Sequence, residues 1–188
     1  MLPHCYKGGT AIVKTTSLIE GNKISYSAES TGSEKWKVLA FFSLGTLVVG
    51  MLTAYVSFAL FPLDRTYTLP IVYPPLWVFW LVWLILYPTM GLAAGHIWLK
   101  RTEFDVRGTM TFYVSILLTN FMFLTIANLS NGNPAIMTIM DLNGILTALL
   151  LGWLFSRHSK TAFYYLLPLI LWMPVTATFK ILLWMANP

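Results

Sequence analysis

The chain has 188 residues, of which 57% are apolar and 10% charged, with a formal net charge of +5. That composition excludes an ordinary soluble globule, in which about a quarter of the residues are charged. The single cysteine, Cys5, excludes an internal disulfide and any multi-cysteine metal site, so no metal is expected.

Residues 1–38 come first and are polar, rich in Gly, Ser, Thr and Lys. They lack the apolar core of a signal peptide and the arginines of a transit peptide, and read as a mobile tail with no assigned function. His4, beside Cys5, reads as a terminal residue rather than a ligand. Residues 39–188 then carry five apolar runs, near Leu39–Phe61, Pro74–Leu99, Gly108–Asn128, Pro134–Phe155 and Thr161–Met185. Each reaches the length of about 20 residues that a helix needs to cross a bilayer. Only helices and closed barrels satisfy backbone polar groups in lipid. A barrel would need alternating apolar and polar residues, and these runs are apolar on every side. The expected fold is therefore all-α, a five-transmembrane-helix bundle filling one membrane domain.

The first run leaves through LFPLDRT, where Pro62 ends the helix and Asp64–Arg65 make a polar corner. YTLPIVYPP follows, too apolar for a linker in bulk water, and is expected to fold back over the helix ends. Pro74 and Pro75 suit the first turn of the second helix, where no internal N–H bond is lost. Within that helix Pro88 removes a backbone bond and should bend it, which membrane helices tolerate when neighbours compensate. NLSNGNP is a turn signal between the third and fourth helices, and SRHSK is a short basic connection between the fourth and fifth.

The basic residues are distributed unevenly. Five helices put Lys7, Lys14, Lys23, Lys35, Lys37, Lys100, Arg101, Arg107, Arg157 and Lys160 on the side of the N-terminus. Arg65 lies on the other side, and Lys180 lies inside the fifth run. This bias predicts a cytoplasmic, positive-inside N-terminus in a multi-pass protein, and it argues against a nucleic-acid site.

Asn120, Asp141, Thr176 and Lys180 are polar residues at depth. Counting about 1.5 Å per residue from the charge-poor face puts Asn120 roughly 12 Å, Asp141 roughly 10 Å and Lys180 roughly 8 Å deep. Asp141 and Lys180 can form an intramembrane ion pair across adjacent helices, or face a wet cavity. Snorkelling is the alternative for Lys180, and an interhelical hydrogen bond is the alternative for Asn120. On the second helix Trp80, Trp83, Tyr87 and Gly91 share one face, with Phe79 turned away. On the fifth, Pro168, Trp172, Thr176 and Lys180 repeat every four residues. Interface belts explain Trp77, Trp98 and Trp184 near helix ends, but explain Trp83 and Trp172 poorly. Taken alone, an aromatic stripe at this spacing is more often packing than pocket.

These residues resemble the TspO/MBR family, the translocator or tryptophan-rich sensory proteins, also known as peripheral-type benzodiazepine receptors. Its P-x-W-x-P-P loop stands here as Pro70-Ile71-Val72-Tyr73-Pro74-Pro75. The helix that follows matches at Trp77, Val78, Phe79, Val82, Trp83, Leu86, Tyr87, Met90, Gly91 and Ala93. Tyr113 and Asn120 match in the third helix, and Pro168, Leu171, Trp172, Trp184 and Asn187 match in the fifth. Departures are Val72 for the loop tryptophan, Ile116 for a glutamine, Phe123 for a tryptophan, Leu169 for a tyrosine and Lys180 for an asparagine.

The resemblance implies a five-helix bundle, a homodimer, and a ligand cavity beneath the first loop. It implies binding of porphyrins (protoporphyrin IX or haem-like) or sterol-like molecules as ligands, with no required cofactor. Carried over residue by residue, the ligand-binding positions are Trp83, Tyr87, Asn120, Trp172 and Thr176. Light- or oxygen-dependent porphyrin breakdown is the enzymatic alternative, and a structural membrane protein with no ligand is the third reading. No acid–base pair or nucleophile–base set is present to mark catalytic residues. Gly91, Ala93, Ala94 and Gly95 are small enough to permit close helix contact and dimerisation.

Overall fold

The structure is a computed structural model that describes residues 9–60 and 66–188, with side chains from Glu34 onward. Two units divide the chain at Lys37, and the membrane unit begins at Val38. Among the described residues there are five helices and no strand: α1 (Gly9–Leu60), α2 (Leu76–Leu99), α3 (Arg107–Leu129), α4 (Pro134–Ser156) and α5 (Lys160–Ala186). The expected tail falls partly on residues 1–8, and the LFPLDRT corner on Phe61–Arg65; both lie outside the described residues.

Each helix contains an apolar stretch long enough to cross a membrane, with α1 supplying Glu34–Leu60. At most 33% of the most apolar window of any span is buried within the chain. The remaining faces, with Leu44, Leu118, Leu146 and Leu171 all more than half exposed, need an apolar solvent. Helix α5 packs along α4 and α2, and α3 packs on α4. Met90, Ala93, Ala94, Ile97, Leu151, Phe155 and Leu166 are fully enclosed at the centre.

Close approach of α1 to α2 depends on glycine. A Cβ on Gly91 would overlap the backbone of Phe42 and Ser43, and one on Gly95 would press on Leu39. Ala93 and Ala94 are fully buried beside them. This corrects the expectation that these four small residues offer a dimer contact: they are consumed by packing inside one chain. Polar groups on α1 are satisfied locally. Thr46 donates to the Phe42 carbonyl at 2.7 Å and meets the Tyr113 hydroxyl of α3, while Thr53 donates to the Val49 carbonyl at 2.7 Å.

Helix α2 continues through Pro88, which leaves one carbonyl of the preceding turn without its usual donor. Between α3 and α4 the chain turns through Asn131 (φ 49°) and Gly132 (φ 64°), both left-handed. The Asn133 side chain then caps α4 by accepting from Ala135 N–H at 3.0 Å and Ile136 N–H at 3.4 Å, with Pro134 in the first turn.

The first loop folds back as expected. The Tyr67 hydroxyl donates to the Gly132 carbonyl at 2.6 Å, tying the loop to the α3–α4 turn. Asn187 holds Thr68 at the end of α5 through bonds of 2.8 and 2.9 Å. Tyr73, turned by its N–H bond to the Pro70 carbonyl, packs on Phe79 and Phe179. The loop is thereby a roof over the ends of α3, α4 and α5.

Candidate functional site

Under that roof lies a cavity of about 200 Å³, lined from all five helices. The lining residues of each helix recur at helical spacing. Met51, Ala54 and Phe58 come from α1; Phe79, Trp80, Trp83 and Tyr87 from α2; Asn120, Leu124 and Asn128 from α3; Met137 and Asp141 from α4; Thr176 and Lys180 from α5. A stripe repeating every three or four residues is what each helix presents to the bundle axis.

The cavity is walled mainly by rings. Trp83 and Tyr87 lie 5.2 Å apart between centroids at 33°, and Tyr87 fills the notch left by Gly50 of α1. Trp80 packs on Phe58 at 5.8 Å and is 40% exposed, and this pair lines the cavity between α1 and α2. Trp77 is 63% exposed and takes no part in the lining, in keeping with an interface position.

Of the residues singled out from sequence, Trp83, Tyr87, Asn120, Asp141, Thr176 and Lys180 meet on this one wall. Trp172 does not. Its indole packs edge-on against Phe79 at 6.0 Å, Phe79 takes the place on the lining, and the Trp172 Nε1–H is buried without a partner. The expectation that Phe79 turns away is corrected by the same contact. Helical angles set where Cβ points, but a ring reaches several ångströms further and can swing across the neighbouring sector.

Lys180 does not form an ion pair with Asp141 within 4.0 Å. Its Nζ donates to the Tyr73 hydroxyl at 3.3 Å and lies over the Phe79 ring at 5.6 Å. Asp141 is only 5% exposed, and its Oδ2 has no hydrogen-bond partner. Both residues line the cavity, as the second of the two expected arrangements requires. Asn120 faces the cavity and makes no hydrogen bond among the described residues.

Asn128 was not singled out from sequence. It follows Asn120 by eight residues, on the same face as Leu124, and that spacing was the available signal. Its Nδ2 donates to the Ser57 carbonyl at 2.9 Å, while its Oδ1 is buried and unpartnered. A larger depression of about 670 Å³ lies at the α2–α3 connection, lined by Arg101, Glu103, Asp105 and Arg107. These side chains are exposed, and the Lys100–Glu103 pair beside them is an ordinary surface contact at 2.9 Å. It has the character of a hydrated loop crease. Among the described residues no group of three or more His, Cys, Asp or Glu could hold a metal.

In the comparisons with known proteins, the model of the TspO/MBR family matches residues 38–185. No curated protein matches the chain.

Proposed function

The chain belongs to the TspO/MBR family, and from that premise we propose that it is a membrane receptor or carrier for flat hydrophobic ligands of porphyrin or sterol type. It is a multi-pass integral membrane protein with five spanning helices. The observation that carries the ligand reading is the roofed cavity, whose walls are aromatic and whose few polar groups converge on it. Rings suit a flat ligand by stacking, and sparse polar groups fix its orientation. Protoporphyrin IX or a haem-like relative is then a ligand, not a required cofactor.

The enclosed volume of about 200 Å³ is below the roughly 300–1,000 Å³ usual for ligand pockets. A macrocycle therefore enters only if wall rings rotate, and Trp80 and Phe58 are two such rings on the lining.

Two further readings concern placement. The bias of Lys100, Arg101, Arg107, Arg157 and Lys160 toward one end of the helices supports a cytoplasmic N-terminus. For a homodimer the supporting residue is Asn143. It is exposed on α4, roughly 14 Å along the helix from Pro134, with no hydrogen-bond partner among the described residues. An amide facing hydrocarbon gains by bonding to its copy across a two-fold axis, being both donor and acceptor.

The test is titration of the purified protein with protoporphyrin IX in the dark, read by tryptophan fluorescence, followed by illumination. Saturable quenching that weakens in Trp83→Ala supports binding. A new absorbing product that requires both protein and light would move the reading to porphyrin breakdown. Absence of saturable quenching would overturn both and leave a structural role.

A further inference from the structure

Asn120 brings to the cavity a free amide that can both donate and accept, whereas the lining atoms that are buried and unpartnered are acceptors. Lys180 is the charged donor: one of its three N–H groups bonds the Tyr73 hydroxyl at 3.3 Å, and its amine lies over the Tyr73 and Phe79 rings. The Thr176 hydroxyl donates to the Met173 carbonyl at 2.9 Å, which uses its one proton. On the acceptor side, Asp141 Oδ2 and Asn128 Oδ1 are both buried with no partner. The residues carrying them are 5% and 6% exposed, and both residues line the cavity. The orientation of Asn128 is not arbitrary. Its neighbour is the Ser57 carbonyl, which only accepts, so the amide must turn its nitrogen there and leave its oxygen free.

We propose that the cavity selects flat apolar ligands that present an N–H or O–H donor, and that Asp141 and Asn128 are the acceptors that read it. The proposal rests on the ligand-binding reading above and adds the chemistry of the ligand's polar edge. Buried acceptors left bare are penalised, and a donor that reaches a carboxylate forms one of the stronger hydrogen bonds available. A ligand of the same outline without the donor gains the stacking but leaves both oxygens unpaired. An anionic edge is disfavoured against Asp141 and Asn128, because both groups accept, and Lys180 is the residue on the lining suited to receive one. A bound metal ion is equally unsuited, since Asp141 is the single carboxylate on the lining.

Carbazole and dibenzofuran provide the test, being flat tricycles of nearly the same size that differ by an N–H against an ether oxygen. Both are dialysed to equilibrium against the full chain in lipid nanodiscs, with empty nanodiscs subtracted. Wild-type protein is expected to hold carbazole roughly tenfold or more tightly than dibenzofuran. Asp141→Asn, which keeps an oxygen acceptor, should retain part of the preference, and Asp141→Leu should lose most of it. Equal affinities in wild type, or failure of carbazole to bind, overturns the proposal without recourse to any variant. Full preference in a folded Asp141→Leu protein removes Asp141 from it. Carbazole preference without porphyrin quenching would defeat the porphyrin reading and leave this one standing. Porphyrin quenching without carbazole preference would do the reverse.

Discussion

Asn187 grips Thr68 from both sides of one peptide frame: its Oδ1 accepts from the Thr68 N–H at 2.8 Å, and its Nδ2 donates to the Thr68 carbonyl at 2.9 Å. A third bond, from Nδ2 to the Leu183 carbonyl at 2.8 Å, anchors the amide to the last turn of α5. One side chain thus pins the Thr68 segment of the roof to the end of the fifth helix, while Tyr73 rests further along it on Phe179 and Lys180.

Asn187→Ala removes both roof bonds. At about 0.5–1.5 kcal/mol each, their loss should raise amide hydrogen exchange at Thr68 on the order of tenfold or more. Exchange in the middle of α4, far from the clamp, should be unchanged. Equal exchange at Thr68 in mutant and wild type would show that the Tyr67 and Tyr73 contacts hold the roof without the clamp.

Gly91→Leu places a branched side chain where the Phe42 backbone passes. The clash is with backbone, which cannot rotate aside, so α1 must move away from α2. Destabilisation of about 1–3 kcal/mol is expected, read as a lower midpoint of thermal unfolding in detergent. The same change at Gly45, where an added Cβ meets nothing within 4 Å, should leave stability within about 0.5 kcal/mol of wild type and the midpoint nearly unmoved.

Phe79→Ala should enlarge the cavity and uncover the Trp172 indole, whose Nε1–H has no partner in the closed arrangement. The expected outcome is tighter binding of protoporphyrin IX together with a lower thermal midpoint, since a half-buried ring packed on Tyr73, Trp172 and Phe179 has been deleted. A Phe79→Ala/Trp172→Phe double variant should give back part of the affinity gain. If Phe79→Ala binds no better than wild type, ring rotation at this position is not what limits entry.

Asn143→Leu removes the one amide that α4 turns outward near mid-span. Sedimentation in matched-density detergent should then report a shift from dimer toward monomer, with a change in dissociation constant of roughly tenfold, since interhelical polar bonds contribute about 0.6–2 kcal/mol. Cavity binding of carbazole should persist, because Asn143 is not on the lining. An unchanged dimer would move the contact to another face.

The spans were legible because hydrocarbon thickness imposes a length and leaves little choice of secondary structure. Four of the five expected runs agree with α2, α3, α4 and α5 within two residues at each end. The site was legible to the extent that it depends on Cβ direction. Trp83, Tyr87, Asn120, Asp141, Thr176 and Lys180 repeat at helical spacing and share a wall, whereas Phe79 and Trp172 exchange places because ring torsions decide which one fronts the cavity. Asn128 escaped notice because it sits one residue from the end of α3, inside a segment that reads as a turn. The fate of Gly91 and Gly95 was not legible either: a small face admits a close neighbour without naming it, and here that neighbour is α1 of the same chain.

The Asn187 clamp also imposes an order on biogenesis. The roof segment leaves the ribosome more than a hundred residues before the side chain that latches it. During that interval Tyr67 can reach the α3–α4 turn, but Tyr73 has no finished α5 to rest on. The roof can therefore take its final place only after α5 has been made, because its latch is among the last residues of the sequence.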